Sequence, residues 1–247
     1  MLDIERIKRQ VRARYSVIAQ GGVECCEGGS GFAVSSPLYP ESQIRKVAEG
    51  AVSASAGCGN PNAMGDLRQG ETVVDLGSGG GLDCFIAAGI VGNSGAVIGV
   101  DMTPAMIALA QKNKTTMRAD NVEFRLADIE DTGIPSDSVD VVISNCVITL
   151  VPDKSRVFQE AYRILRDGGR MRISDVLLNQ PLPEEAASSL AEWTHCISGV
   201  EHVERYLGMI KEAGFNHAEI LSQTPYAWHT DEPWISCVSS MDILAVK

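Results

Sequence analysis

The chain has 247 residues, of which 45% are hydrophobic and 21% charged, and its formal net charge is −11 at pH 7. That length suffices for one large α/β domain, or one domain with a small appendage, and the composition excludes a disordered or fibrous protein. A nucleic-acid partner is excluded as well, because the 32 acidic residues outnumber the 21 basic ones and a phosphate backbone needs a basic face.

Composition near the start and along the chain predicts a cytoplasmic protein. Residues 1–10 are charged and typical of a helix, with no apolar signal segment behind them. Apolar stretches such as residues 84–92 are shorter than the about 20 residues that cross a bilayer, so we expect no membrane partner. Seven cysteines in a chain without a secretion signal indicate reduced thiols rather than a disulfide framework.

The first quarter of the chain is predicted to be helix and loop. Apolar side chains recur at helical spacing over residues 3–19, which indicates an amphipathic helix. The segment 20–36 is rich in glycine and is typical of a mobile loop. A weaker helix is expected after Pro40 and is interrupted by residues 57–61. We take residues 1–59 as an N-terminal segment.

From Glu71 onward, strand-like and helical patterns alternate. The predicted strands are residues 72–76, 96–101, 122–127, 139–144, 170–178, 218–222 and 235–246. The predicted helices are residues 82–91, 104–117, 154–165, 183–196 and 200–213. Such alternation is typical of parallel βαβ units with right-handed crossovers. We therefore predict an α/β fold, with a doubly wound, Rossmann-like, mostly parallel sheet over residues 60–247.

A glycine-rich turn follows the first predicted strand. Gly77, Gly79 and Gly81 allow the backbone to turn sharply and to approach a ligand closely. The dinucleotide fingerprint needs a glycine where Leu82 stands, and the Gly-Lys-Ser/Thr ending of a Walker loop is absent. Asp75, before the turn, would repel a pyrophosphate but would hold an ammonium group.

Acidic residues also end the next two predicted strands. Asp101 lies about 20 residues after Gly81, where an acid accepts hydrogen bonds from ribose hydroxyls. Asp128 follows the third strand, where an acid can accept a hydrogen bond from the exocyclic amine of adenine. Together these features specify a nucleoside with an amino-acid tail, which is S-adenosylmethionine (SAM). The alternative is a tight βα turn with Asp101 and Asp128 as helix caps.

Residues 71–178 resemble a class I SAM-dependent methyltransferase, with the core motifs in order. Five runs narrow the resemblance to the arsenite methyltransferase family: Gly-Cys-Gly-Asn-Pro at 57–61, Val-Asp-Met-Thr-Pro at 100–104, Ser-Asn-Cys-Val-Ile at 144–148, Val-Pro-Asp-Lys at 151–154 and Trp-Thr-His-Cys at 193–196. The similarity extends from about Tyr15 to Ala213. Residues 53–56 and the tail after Gln223 depart from the family pattern.

The resemblance implies a set of site residues. The cofactor-binding residues would be Asp75, Gly77, Ser78, Gly79, Gly81, Asp101, Met102, Asp128, Ile129 and Asn145. The catalytic residues would be Cys58, Cys146 and Cys196, joined as a trithiolate As(III) site. Spacing along the chain does not show that these three thiols converge, because their intervals fit no local motif such as Cys-x-x-Cys.

The positions of three cysteines in the predicted fold are compatible with this arsenic site. Cys146 directly follows the fourth strand, at the sheet edge where α/β proteins bind ligands, although a buried packing role also fits it. Cys58 stands between two glycines and is poorly suited to packing. Cys196 closes the helix predicted over residues 183–196, and the adjacent His195 would lower its pKa, face solvent or cap the helix.

The other four cysteines lie outside the implied thiolate site. Cys25 and Cys26 resemble N-terminal family cysteines that gather metalloid or join redox cycling, or they are an exposed pair without a role. Cys84 falls inside an apolar helix and is predicted to lie in the core, and Cys237 receives no role.

The implied activity is transfer of methyl groups from SAM to trivalent arsenic, as arsenite, methylarsenite or a thiol complex. Soft thiolates suit As(III), and three of them leave it neutral with a lone pair for an in-line displacement. Proximity and orientation would then carry catalysis, without a general base. A thiol reductant, glutathione or thioredoxin-type, is expected as a partner. Two alternatives stay open: methylation of a small organic acceptor, and binding of metalloid without catalysis.

Overall fold

The computed structural model describes residues 4–21, 38–64, 66–181, 199–225 and 233–247. Its helices are α1 (Ile4–Ala19), α2 (Glu41–Ile44), α3 (Glu49–Ser53), α4 (Leu82–Val91), α5 (Pro104–Met117), α6 (Lys154–Ile164) and α7 (Val203–Glu212). Its strands are β1 (Thr72–Leu76), β2 (Ala96–Asp101), β3 (Val122–Leu126), β4 (Val139–Asn145), β5 (Leu165–Leu178), β6 (His217–Pro225) and β7 (Val238–Val246).

Within the described residues the strands form a seven-stranded sheet in the order β3-β2-β1-β4-β5-β7-β6. Strands β1 to β5 pair in parallel, whereas β7 is antiparallel to both β5 and β6. The chain order reverses between β1 and β4, which is where open α/β sheets bind ligands outside the carboxyl ends of their strands. The predicted doubly wound, mostly parallel fold is confirmed.

Both faces of the sheet are covered, so its central strands are almost continuously apolar. Side chains alternate between the faces along each strand, and neighbouring residues therefore enter different cores. Val74 packs on the face covered by α6 and α7, with Phe158 and Tyr206. Val73 packs on the opposite face, with Phe85 of α4 and other apolar residues of α4 and α5.

Helix α1 packs across the carboxyl edge of the sheet. Its predicted apolar stripe is confirmed, since Ile7, Val11 and Ile18 are buried. Ile18 packs against Met106 of α5, while Ile7 and Val11 pack against Leu150. The division of the chain at residue 59 stays a prediction. None of the helices in the described ranges combines the length and apolar character needed to span a bilayer.

Most predicted elements are confirmed to within a few residues, and the differences have local causes. Strand β5 begins at Leu165 instead of residue 170, because Leu165 already pairs with Val139 across a register shift. The run predicted as strand from residue 235 begins with a 3-10 turn, Pro233–Cys237, and β7 starts after it. The predicted helix 183–196 and nearly all of the loop 20–36 lie outside the described residues.

Candidate functional site

A cavity with about 940 Å³ of empty space, part of it open to solvent, lies at the carboxyl ends of β1, β2 and β4. Nine of the ten residues predicted for cofactor binding line it: Asp75, Gly77, Ser78, Gly79, Asp101, Met102, Asp128, Ile129 and Asn145. Gly81 is not among the lining residues. A Cβ atom at Gly81 would lie 2.7 Å from the ring of Phe124, and its φ of +95° is left-handed, so this glycine serves the turn itself.

Asp101 fixes the glycine-rich turn to the end of β2. Its two carboxylate oxygens accept hydrogen bonds from the backbone N–H groups of Gly79 (3.0 Å) and Thr103 (2.8 Å). Burial raises the pKa of Asp101, and these two backbone hydrogen bonds oppose the increase. The carboxylate thus already has a structural role in shaping the cavity, whereas its contact with ribose stays a prediction.

Helix α1 contributes a wall of the same cavity through Lys8, Val11 and Tyr15. The Lys8 ammonium group donates to the Asp128 carboxylate (2.6 Å) and also contacts Glu130. The other Asp128 oxygen accepts from the backbone N–H of Glu130 (3.0 Å). Asp128 therefore holds α1 over the cavity, which the strand-end pattern did not reveal.

Two buried carboxylates lie at the base of the cavity. Burial raises the pKa of Asp75, and the negative charges of Asp83 and Asp101 raise it further. Burial also raises the pKa of Asp83, to about 6, although hydrogen bonds from Asn145, Tyr39 and Asn62 lower it. Among the described residues the cavity lining carries four acidic side chains and one lysine, and a cationic ligand would favour the ionised forms of the two acids whose pKa burial raises.

Two members of this buried group, Asp83 and Tyr39, were not predicted from the sequence. Asp83 stands in the first turn of α4, directly after the glycine-rich turn, and that position was a usable signal. Tyr39 gave none, because it lies in an irregular segment before α2. Its hydroxyl group donates to Asp83 at 2.9 Å, and the tyrosine is 1% exposed.

The sulfur atoms of Cys58 and Cys146 come together beside this cavity. Both sulfurs and a carboxylate oxygen of Asp175 lie within 4.8 Å of one another. Both cysteines donate a hydrogen bond to the carbonyl oxygen of Ser174. The donors are the backbone N–H of Cys146 (2.8 Å) and the thiol of Cys58 (3.6 Å). Cys146 also lines the cavity. The thiol pair and the cavity are thus contiguous.

Cys146 has a backbone conformation that residues other than glycine rarely adopt. Its φ is +57°, in the left-handed region. Strained residues of this kind persist where the surrounding structure fixes them, and they concentrate at functional sites. Here the Ser174 carbonyl oxygen holds the Cys146 backbone. The turn directs the thiol to the cavity edge, where it meets Cys58.

Asp175 was not predicted, since no motif in the β5 sequence marks it. It is fully buried, and burial raises its pKa to about 6 against a hydrogen bond from Tyr206 (2.9 Å). An oxygen donor is a poor substitute for a third sulfur around As(III), because soft centres prefer thiolates. A third thiol is therefore still needed to complete the predicted site.

The remaining predicted thiols have different positions. Cys196 and its neighbour His195, like Cys25 and Cys26, lie outside the described residues. Cys84 is buried in α4, as predicted for a core residue, and its thiol donates to Asp75 (3.2 Å). Cys237 is buried in the apolar cluster that contains Cys58 and Cys146.

Comparisons with known proteins show which family the chain is similar to. A family model described as a methyltransferase domain matches residues 67–214. The crystal structure of CrArsM, an arsenic(III) S-adenosylmethionine methyltransferase from Chlamydomonas reinhardtii, has a TM-score of 0.68 and 32% identity, covering 84% of this chain and 70% of that one. The chain belongs to the arsenite methyltransferase family. The family resemblance and the class I methyltransferase fold predicted from the sequence are both confirmed.

Two curated relatives carry the same family name. The arsenite methyltransferase of Halobacterium salinarum is 44% identical over 233 residues, which cover 88% of this chain and 59% of that protein. The arsenite methyltransferase of Mus musculus is 36% identical over 190 residues, which cover 72% of this chain and 50% of that protein. The chain thus spans between half and three fifths of the length of these family members.

Proposed function

We propose that this chain is a SAM-dependent methyltransferase that methylates trivalent arsenic, as arsenite or methylarsenite, held by cysteine thiolates. One observation carries the proposal: the sulfurs of Cys58 and Cys146 meet at the edge of the cavity that the glycine-rich turn shapes. The names of the family members support the choice of arsenic as the acceptor.

The cavity lining fits SAM by charge and by shape. SAM carries a sulfonium and an ammonium group, and when bound it supplies the methyl group. Asp75 and Asp83 are buried acids, and among the described residues that line the cavity the single lysine, Lys8, pairs with Asp128 instead. Asp75 would hold the ammonium group. Asp101 would accept from the ribose hydroxyls and Asp128 from the adenine amine. Near Gly79 there is open space, since no atom of the described residues lies within 4 Å of a Cβ atom built there.

The affinity for SAM is expected to fall as the pH is lowered from 7 to 5. The pKa of Asp83 is about 6, so its carboxylate takes up a proton over this range while SAM stays cationic. Losing one buried negative charge should weaken binding about tenfold, which corresponds to about 1.4 kcal/mol. Isothermal titration calorimetry at several pH values measures this, with Asp83→Asn as the variant whose affinity should change less. A constant affinity in the wild type would show that the charge of Asp83 does not contribute to SAM binding.

The thiolates would bind and activate the arsenic. Cys58 and Cys146 supply two sulfurs, and we assign the third to Cys196. With three thiolates the arsenic is neutral and keeps its lone pair, which is the nucleophile for methyl transfer. The protein contributes orientation, since the thiol pair is buried beside the cavity, and we assign no general base.

The proposal includes partners and a location. Arsenite would arrive free or as a thiol complex. Methyl transfer would form an As–C bond and leave arsenic pentavalent, and two thiols would supply the two electrons that return it to the trivalent state, forming a disulfide. Glutathione or a thioredoxin-type reductant would then reduce that disulfide. Cys25 and Cys26 would deliver metalloid or join this redox step. Reduced thiols of this kind are expected in the cytoplasm.

The deciding experiment incubates the purified chain with SAM, arsenite and glutathione and separates the arsenic species. We expect methylated arsenicals and S-adenosylhomocysteine in parallel amounts, with neither formed when arsenite is left out. S-adenosylhomocysteine formed only with small organic acceptors would favour the first alternative function. Arsenite binding without any affinity for SAM would favour sequestration of the metalloid.

A further inference from the structure

The side-chain amide of Asn145, at the end of β4, is surrounded by hydrogen-bonding partners. Its oxygen accepts from the backbone N–H groups of Cys58 (3.0 Å) and Gly59 (3.2 Å). Its nitrogen donates to the carbonyl oxygen of Gly59 (2.9 Å), the hydroxyl of Tyr39 (2.8 Å) and the carboxylate of Asp83 (3.1 Å). Three of these five contacts go to the backbone of the segment that carries Cys58.

The glycines on either side of Cys58 explain how this segment reaches the amide. A Cβ atom at Gly57 would lie 2.3 Å from the side-chain nitrogen of Asn145. A Cβ atom at Gly59 would lie 2.5 Å from the Cβ of Ser174 on β5. The segment 57–59 therefore lies directly on the end of β4 and on the interior residue Ser174 of β5, at a distance that no larger residue permits.

A second anchor comes from β7. The hydroxyl group of Ser240 donates to the carbonyl oxygen of Cys58 at 2.8 Å. The backbone of Cys58 is thus held on its N–H side by Asn145 and on its carbonyl side by Ser240. These contacts engage only the main-chain groups of Cys58, and its thiol lies beside that of Cys146.

We propose that Asn145 and Ser240 are positioning residues that fix the backbone of Cys58, so that its thiol stands beside Cys146 before arsenic binds. The inference rests on the proposed function, since it gives arsenite a preformed thiol pair. A Gly-Cys-Gly segment without these anchors would lose backbone freedom when it bound arsenic, and binding would be weaker. The predicted role of Asn145 in cofactor binding is thereby extended to the thiol site.

The test uses Ser240→Ala, because Ser240 is not among the cavity-lining residues, together with Asn145→Asp. We measure alkylation of Cys58 by iodoacetamide with peptide mass spectrometry, and the KM values for arsenite and SAM. Losing one hydrogen bond should raise the Cys58 alkylation rate and the arsenite KM about tenfold in Ser240→Ala. Alkylation of Cys84 and the KM for SAM should stay within about twofold, and Ser240→Thr should restore wild-type values.

The matched control is Ser239→Ala on the same strand. The Ser239 hydroxyl accepts from Asn179 and Gln223 and has no hydrogen bond to the segment 57–59. Wild-type alkylation of Cys58 in Ser240→Ala would overturn the inference, as would faster alkylation without a higher arsenite KM. If Asn145→Asp fails to fold, the Ser240 variants decide alone. If the wild type does not methylate arsenite, the proposed function fails, and alkylation still decides whether Cys58 is held in place.

Discussion

Replacing Cys146 with serine is expected to lower arsenite methylation about 100-fold or more, because it removes one sulfur ligand at the edge of the cofactor cavity. The hydroxyl group that replaces the thiol is a hard donor and a poor ligand for As(III). Cys58→Ser should have a similar effect, since the sulfur of Cys58 lies within 4.8 Å of the sulfur of Cys146. SAM affinity should stay close to wild type, because a serine fits the same space. Rates of arsenic methylation and calorimetric SAM titrations measure the two effects.

The matched control for this pair is Cys237→Ser. Cys237 is buried in the same apolar cluster, but it is not part of the group whose ligand atoms lie within 4.8 Å of one another. We expect this variant to keep most of the methylation rate. If Cys58→Ser and Cys146→Ser both methylated arsenite at the wild-type rate, the proposed thiolate site would be ruled out, and the two cysteines would be packing residues.

The second large effect is expected for Gly77→Ala, which should abolish SAM binding and destabilise the fold. Gly77 has a φ of +79°, and a Cβ atom there would lie 2.5 Å from a methyl group of Val147. Left-handed strain and a steric clash together should cost about 3 kcal/mol of unfolding free energy. Val147 follows Cys146, so relieving the clash would also displace the thiol. Urea denaturation and SAM titration test this prediction.

Gly79→Ala, in the same turn, separates the cost of a left-handed backbone from the cost of a steric clash. Gly79 also has a left-handed φ, +51°, but no atom in the described part of the chain lies within 4 Å of its built Cβ atom. Its substitution should cost only about 1 kcal/mol, the strain alone. Equal destabilisation by the two substitutions would show that the contact with Val147 contributes nothing.

The cofactor side of the site could be predicted because parallel strands place their carboxyl ends at one edge of the sheet. A glycine-rich turn after β1 and acids after β2 and β3 therefore had to lie close together. Asp75, Asp101 and Asp128 all line the cavity for this reason. The apolar runs of β1 and β4 were equally informative, because helices cover both of their faces.

The thiol side could not be predicted from the residues alone. Cys58 precedes the sheet, and it reaches Cys146 only because its segment lies across β4 and β5 and is held by Asn145 and by Ser240 of β7. These contacts join distant parts of the chain and leave no periodic pattern. Asp175 gave no signal either, because no repeat or motif in the β5 sequence sets it apart from the other charged residues of that strand.

X-ray absorption at the arsenic K-edge, recorded on the reduced protein with one equivalent of arsenite, tests most directly whether sulfur holds the substrate. We expect a first coordination shell of sulfur alone in the wild type, and oxygen entering that shell in Cys58→Ser and in Cys146→Ser. A shell of oxygen atoms in the wild type, or a shell of sulfur unchanged by either substitution, would contradict the account.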